Sequence, residues 1–447
     1  MAVGRLLDSG GDARRPTVNA HAAGSNLSPL ITLADPVARH VVPLDGVPAA
    51  LPNPPAPADT GARLAAALLV YMAAITIVIT LLPFEFAAPS QTRVMLNGGT
   101  IDVVANFILF VPLGFLYAVA RAGHAARPSR VFVVALVSSA AIESLQLFEA
   151  SRYAALSDVL ANGVGACVGA IAQRRLAHRF AMDARTVGKL SLELPLMGLV
   201  YLLVPLLWLD GLAGGNYSAT NLWPLLALGL FGASLLAAVQ RHHYGPNGLL
   251  SRGMMTAAAC VWFLIGGFPG LAPRASLVLF VMLAAVGAFV WTRSADRSGA
   301  RSINRRFESR ALAEAAPFYA AYLLLLVAPA QGATASDWNV SVGFVATMGV
   351  WAAGSVLHVV ETVAAFTLLG FMLAEFRGRR ENRFREGARH VAAWALGAAI
   401  VAEVLEGFRL DGSASVARLT LLVVAALYGA WLYHLQRAHV RRLLGRG

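Results

Sequence analysis

Charged residues are scarce in this sequence. Only 13% of its 447 residues are Asp, Glu, Lys or Arg, whereas soluble domains contain about 25%. Hydrophobic residues make up 57% of the chain, and they gather in runs of roughly 20 residues. This composition excludes a large soluble enzyme, because the chain lacks the polar residues needed to cover a soluble fold. We therefore expect an all-α fold, that of a polytopic helical membrane protein.

Cysteine is also nearly absent. The chain has only Cys167 and Cys260, which lie in apolar stretches far apart in sequence, so a disulfide framework is excluded. No Cys/His spacing indicates a zinc site, and no glycine-rich phosphate loop, nucleophile elbow or HExxH motif is found. We predict no cofactor and no metal ion. The sequence leaves open whether the protein is an enzyme.

The charge that is present is mostly positive, with a formal net charge of +12. A basic excess can indicate nucleic-acid binding, but in a membrane protein basic loops hold the helices in their orientation. Arginine clusters beginning at Arg293, Arg377 and Arg437 all fall in loops on one predicted side. We therefore predict membrane lipids as partners and no nucleic acid.

Twelve apolar segments follow an N-terminal tail. Residues 1–62 contain nine of the 21 prolines and no sustained helical period, so we expect a disordered cytoplasmic tail. Because basic loops alternate with the segments, we predict both termini in the cytoplasm and a multi-pass protein of the inner membrane. The predicted spans are 64–83, 101–120, 130–148, 156–176, 190–209, 222–239, 254–269, 274–292, 315–330, 356–376, 388–408 and 415–436.

Polar residues recur in the second, third and fourth segments. The second reads IDVVANFILFVPLGFLYAVAR, the third ends AIESLQLFEASR, and the fourth is LSDVLANGVGACVGAIAQRR. Residues three or four apart share one helix face, and in the predicted topology these polar pairs all lie toward the outer end of their helices. The cluster consists of Asp102, Asn106, Glu143, Gln146, Arg152, Asp158 and Asn162.

The order of these motifs resembles the VanZ-like membrane-protein family over about residues 64–176. The resemblance implies a membrane protein of the bacterial cell envelope. The family is named for a member linked to resistance to teicoplanin, a lipoglycopeptide antibiotic that targets peptidoglycan precursors. The positions that match are Asp102, Asn106, Phe107, Pro112, Gly114, Glu143, Gln146, Arg152, Asp158, Asn162, Gly165 and Gly169.

The polar cluster has two interpretations, because ionisable groups within a membrane span are usually either paired or functional. In the structural one, Arg152 neutralises the carboxylates, the amides satisfy helix ends, and Asp158 occupies a cap or the first turn of a helix. In the functional one, the cluster is a binding site open to the outside. Glu143 is then the catalytic candidate, because a partly buried carboxyl group can give and take a proton.

Small residues in the same segments predict close helix packing. Gly165 and Gly169 are four apart, a spacing that lets two membrane helices approach closely. Pro112 is expected to kink the second helix, and Gly114 to relieve crowding beside it.

The C-terminal segments repeat this layout in degenerate form. HVVETVAAFTLLGFMLAEF, from His358, parallels the second segment, and AIVAEVLEGFRLDG parallels the end of the third, with Glu403 and Glu406 in place of Glu143 and Gln146. Arg418 and Leu422 stand where the first copy has Asp158 and Asn162, so we expect any site in the first copy alone. The predicted parts are the tail (1–62), a first unit (63–178), a central four-helix insert (179–312) and a second unit with a basic tail (313–447).

Three functions fit this organisation. The first is an envelope protein that binds or acts on a lipid-linked or cell-wall glycan or glycopeptide, such as a peptidoglycan precursor, at the outer leaflet; the family resemblance links it to glycopeptide resistance. The second is a transporter or lipid flippase built from two duplicated halves, an arrangement found among membrane transporters. The third is a non-catalytic scaffold for envelope enzymes.

Overall fold

A computed structural model describes most of the chain after residue 59. The described residues are 60–82, 84, 86–87, 94–121, 127–149, 153–180, 198, 201–213, 223–243, 260, 262–263, 266, 286–287, 307–328, 337–343, 353–377, 384–409 and 413–443. The predicted tail before residue 60, Arg152, and nearly all of the seventh and eighth predicted spans lie outside them. All described residues belong to one compact body, Pro55–Gly447.

The described chain is almost entirely helical. The first unit contains α1 (Thr60–Leu81), α2 (Thr100–Ala120), α3 (Pro128–Gln146) and α4 (Leu156–Phe180). The central insert contributes α5 (Tyr201–Leu212) and α6 (Trp223–His243). The second unit contains α7 (Phe307–Val327), α8 (Ala353–Arg377), α9 (Phe384–Glu406) and α10 (Val416–Leu443).

Seven of these helices, α1 to α4 and α8 to α10, are long and apolar enough to cross a membrane. The apolar parts of α5, α6 and α7 are shorter. The expected all-α, multi-pass membrane fold is therefore confirmed. The count of twelve spans and the cytoplasmic placement of the termini stay predictions.

Several helices differ from their predicted bounds, and the differences at α7 and α5 have local causes. The predicted ninth span, 315–330, corresponds to α7, which begins at Phe307 because its helix continues through a charged flank. It ends at Val327, two residues before Pro329, which disfavours helical backbone in the residue that precedes it. The predicted fifth span ended at residue 209, but α5 continues to Leu212 and places Asp210 inside the helix.

Each unit carries one short parallel sheet of two strands. In the first unit β1 (Val94–Met95) pairs with β2 (Ala154–Ala155), which leads directly into α4. In the second unit β3 (Val340–Ser341) pairs with β4 (Ala414–Ser415), which leads directly into α10. Each sheet ties the segment before the second helix of its unit to the start of the fourth.

Glycines bring the second and fourth helices of each unit into backbone contact. A Cβ atom added at any of four glycines would overlap a carbonyl oxygen of the facing helix, so only glycine fits there. The contacts are Gly114 with Ala166, Gly169 with Val111, Gly370 with Ala426, and Gly429 with Thr367. Gly165 approaches the Phe107 carbonyl in the same way.

The two units meet along α1 and α10, which run antiparallel. Gly61 at the start of α1 lies against His439 near the end of α10, and the Tyr428 hydroxyl donates to the Ala67 carbonyl over 2.7 Å. The end of α1 and the start of α10 therefore lie at the same end of the bundle. Both short sheets lie there, and we call it the strand end.

Candidate functional site

Glu143 lies in the last turn of α3 and is buried, with 8% of its surface exposed. Its Oε2 accepts a hydrogen bond of 2.8 Å from the backbone N–H of Ala155, in β2. The carboxylate thus joins the end of α3 to the strand that precedes α4. This contact gives Glu143 a structural role, whatever its chemistry.

Gln146, the last residue of α3, is buried against the end of α1. Its Nε2 donates a hydrogen bond of 2.6 Å to the carbonyl oxygen of Thr80. Carbonyls in the last turn of a helix have no partner within that helix. Gln146 therefore caps α1 from a neighbouring helix, and it fixes α1 against α3 at the strand end.

Asn162 lies one turn deeper in α4 and is 2% exposed. Its Nδ2 donates a hydrogen bond of 2.7 Å to Ser139 Oγ on α3. Within the described residues its Oδ1 has no hydrogen-bond partner. A buried amide oxygen without a partner is costly, so Oδ1 is a candidate acceptor for a donor from outside the described chain.

Asp102 and Asp158 lie on either side of a two-glycine turn before α2. A Cβ atom added at Gly98 would lie 3.0 Å from Asp158 Oδ1, and one added at Gly99 would lie 3.0 Å from Asp102 Oδ2. The Gly98 N–H donates a hydrogen bond of 2.8 Å to Ser157 Oγ. The Ser157 hydroxyl in turn donates one of 3.2 Å to Asp158 Oδ1. Both aspartates occupy the first turn of their helices, where a negative charge is favoured by the helix dipole.

The other predicted positions lie deeper or outside the described residues. Asn106 is half-buried in α2, one turn below Asp102. Helix α2 runs unbroken through Pro112, which is half-buried, and Gly114, Gly165 and Gly169 lie in the α2–α4 contact already described. Arg152, expected to pair with the carboxylates, falls outside the described residues.

Several residues that take part in the polar contacts at the strand end were not predicted from the sequence. Glu149 is buried, with 4% of its surface exposed, beside an isolated backbone bridge to Phe86. Ser139 and Thr80 are hydrogen-bond partners of predicted residues, but a single hydroxyl in an apolar helix carries no motif. The Asn-Gly-Gly-Thr stretch at 97–100, by contrast, is a recognisable turn before a helix.

In the second unit, a buried ion pair occupies the position that corresponds to Glu143 and Asp158. Arg418 Nε and Nη2 lie 2.7 and 2.8 Å from the two carboxylate oxygens of Glu403. Glu403 Oε2 also accepts a hydrogen bond of 2.7 Å from the Ser415 N–H. Glu143 accepts the corresponding hydrogen bond from the Ala155 N–H. The apolar residues Ala399 and Leu422 stand where the first unit has Ser139 and Asn162.

A second cluster of ionisable side chains surrounds Glu406 in the same unit. His358 Nε2 lies 3.5 Å from Glu406 Oε2, and Arg409 Nη1 lies 3.4 Å from the same oxygen. The polar residues near the strand end of the second unit thus pair with one another. In the first unit the corresponding positions hold Asp102, Gln146 and Glu149, so His358 and Arg409 have no basic counterpart there.

The arrangement in the first unit supplies hydrogen-bond acceptors. Carboxylates and amide oxygens can accept from the hydroxyl and amine groups of a ligand, and Arg152 can hold a phosphate or carboxylate. The described residues of this cluster include no cysteine and no serine paired with a histidine as a nucleophile.

Comparison with known proteins bears on the first unit. Residues 61–178 match the family model described as VanZ/LLP1, which confirms the resemblance inferred from the motifs for this part of the chain. The match covers about a quarter of the sequence. No curated protein and no solved structure matches the chain.

Proposed function

We propose that this membrane protein binds a lipid-linked or cell-wall glycan at the outer leaflet of the cell envelope, through the polar cluster of the first unit. The cluster consists of Asp102, Asn106, Glu143, Gln146, Arg152, Asp158 and Asn162. Carboxylates and amides would accept from sugar hydroxyls or peptide amines, and Arg152 would hold a phosphate. A role in glycopeptide resistance belongs to the same proposal, because such a ligand resembles the antibiotic target.

One contrast between the units carries this proposal. The second unit neutralises Glu403 with Arg418 and fills the space below with Ala399 and Leu422. The first unit has the same backbone contact at its glutamate but keeps four acidic residues near the strand end, and it leaves Asn162 Oδ1 unbonded within the described residues. If the cluster served packing alone, the apolar and paired solution of the second unit would serve equally well.

The test compares envelope lipid that copurifies with the full-length protein, measured by native mass spectrometry. Wild type is expected to retain a glycan-bearing lipid, and Glu143→Ala and Arg152→Ala to lose most of it. Arg409→Ala, at the strand end of the second unit, and Glu386→Ala, exposed in α9, are the matched controls and should retain it. Equal lipid in wild type and both cluster variants would contradict the proposal.

A graft from the second unit separates binding from folding. Ser139→Ala with Asn162→Leu installs the residues found at positions 399 and 422, and removing both partners of a buried hydrogen bond is close to neutral for stability. We expect this double variant to keep the wild-type melting temperature and to lose the lipid. Retention of the lipid at full occupancy would show that the amide takes no part in binding.

A transporter or flippase is the second candidate, and the paired architecture favours it. Two units with matching sheets and matching glycine contacts meet along antiparallel α1 and α10. We propose that these units arose by duplication, as in transporters that rock one half against the other. Vesicles containing the full-length protein should then move a fluorescent envelope lipid between leaflets. If no such lipid moves faster than in protein-free vesicles, the transport function is dismissed.

A further inference from the structure

Two carboxyl groups meet in the interior of the bundle, away from the polar cluster of the first unit. Asp210 on α5 is 4% exposed and Glu361 on α8 is 2% exposed, and their side chains are hydrogen-bonded to each other. The pair is unexpected from the sequence, because the two residues lie 151 positions apart. It joins the central insert to the second unit.

The hydrogen bond requires a proton. Ionised carboxylates have only acceptor atoms, so two of them can be hydrogen-bonded only when one carries a proton. Two unprotonated carboxylates in contact would repel each other strongly in a medium of low dielectric constant. Two carboxyl groups buried side by side are therefore best satisfied when Asp210 and Glu361 hold one proton between them.

A third polar group lies near the pair. Tyr322 on α7 is fully buried and interacts electrostatically with both carboxyl groups. Its hydroxyl, Asp210 Oδ2 and Glu361 Oε1 all lack hydrogen-bond partners within the described residues. Three unsatisfied polar atoms in one buried place need an explanation, because buried polar groups are nearly always hydrogen-bonded.

The surroundings of the pair are otherwise aromatic. Tyr319 packs 5.7 Å from the Tyr322 ring and donates to the Ala365 carbonyl, so its hydroxyl is occupied. Tyr71 on α1 of the first unit also interacts with both tyrosines. The site thus lies where the first unit, the central insert and the second unit meet, and α5, α7, α8 and α1 face it.

A route for the proton leads toward the strand end. His358 lies one turn before Glu361 on α8, so the two side chains share one helix face. His358 is partly exposed and lies 3.5 Å from Glu406, which also interacts with Arg409 and Arg418. Imidazole is the side chain best suited to take up and release protons near neutral pH.

We propose that Asp210 and Glu361, with Tyr322, form a buried proton-binding site that exchanges its proton with the strand end through His358. On release, the proton passes from the carboxyl pair to the neutral imidazole, which leaves two carboxylates and an imidazolium. Tyr322 then donates to a carboxylate. Because the pair joins α5 to α8, proton release weakens the contact between the central insert and the second unit. This inference does not rest on glycan binding.

A proton fits the site better than a metal ion. In the described part of the chain, no three His, Cys, Asp or Glu side chains gather in a group that could hold a metal. Divalent cations of the hard type take about six oxygen ligands, whereas this site offers two carboxyl groups and one hydroxyl. Sodium binding at the site is an outcome that the experiment below can detect.

The test is infrared difference spectroscopy of the full-length protein in lipid nanodiscs, titrated from mildly acidic to alkaline buffer. Wild type is expected to show a carboxylic-acid C=O band that is lost as the buffer becomes alkaline, and Asp210→Asn with Glu361→Gln should abolish it. In Tyr322→Phe the carboxylate loses a hydrogen-bond donor. The pH at which the band disappears should therefore rise by about one unit. His358→Gln should slow deuterium exchange of the band without moving its titration.

The control and the contrary outcomes are distinct. Glu375→Gln alters another buried carboxyl group on α8, beside Tyr433 and Arg437, and should leave the band of the pair in place. The proposal is overturned if the band is absent from wild type, if it persists in the double variant, if sodium chloride removes it, or if its proton never exchanges with solvent. Should the double variant fail to fold, the shift in Tyr322→Phe decides the matter.

Discussion

Replacing Gly114 with alanine is expected to destabilise the folded chain by about 3 kcal/mol or more, at the upper end of the cost of overpacking. The added methyl group would overlap the carbonyl oxygen of Ala166, and that atom belongs to the backbone of α4. A flexible side chain could turn away, but a helix backbone cannot move without separating α2 from α4 along their whole contact. Thermal unfolding of the purified protein in detergent measures the loss.

The second unit provides both a repeat of this test and its control. Gly370→Ala should be equally damaging, because a methyl group there would overlap the Ala426 carbonyl on α10. Gly397 lies in the middle of α9 with no atom near its missing Cβ, so Gly397→Ala should raise stability by about 0.5–1 kcal/mol through helix propensity. If Gly114→Ala and Gly397→Ala change the melting temperature alike, the close approach of α2 and α4 is wrong.

Much of the helical frame was predictable because apolar runs determine where membrane helices form. The predicted second span, 101–120, became Thr100–Ala120, and the third shifted by only two residues. The prediction failed at Asp210, which was assigned to a loop because a charged residue normally ends a span. A partner on a distant helix, Glu361, offsets that cost, and local sequence holds no sign of it.

The polar cluster was predictable in part, because helix periodicity places residues on faces but does not choose their partners. Spacing brought Glu143 and Gln146 to one face of α3, and both are buried there. It could not show that their partners are the Ala155 N–H and the Thr80 carbonyl, since backbone groups have no sequence signature. For Asn162, the partner of Nδ2 is Ser139 on α3, and a lone serine in an apolar helix gives no sequence signal.

The two units satisfy their polar groups at the strand end in different ways. At the strand end of the second unit, Glu403, Glu406, Arg409 and Arg418 pair internally, which satisfies the charges and adds rigidity. The first unit keeps the backbone contact at Glu143 yet lacks a cation at the position of Arg418. Under the proposed function, the second unit stabilises the bundle and the first retains acceptors for the ligand.

Arg418→Met is the second change with a large expected effect. Arg418 and Glu403 are 8% and 5% exposed, and the arginine makes two hydrogen bonds to the carboxylate and one of 2.9 Å to the Ser413 carbonyl. Removing one partner of a buried pair leaves an uncompensated charge, which costs about 3–5 kcal/mol. Thermal unfolding should show a large fall in the melting temperature of Arg418→Met.

A double-mutant cycle shows whether the cost comes from the orphaned carboxylate. Glu403→Gln with Arg418→Met removes both charges and keeps an acceptor for the Ser415 N–H, so most of the loss should be recovered. Arg409→Ala is the control, because this partly exposed arginine pairs with Glu406 at 3.4 Å and its removal should cost at most about 1 kcal/mol. A double variant as unstable as Arg418→Met would mean that the arginine stabilises the second unit by packing and by its bond to Ser413, and that the ion pair contributes little.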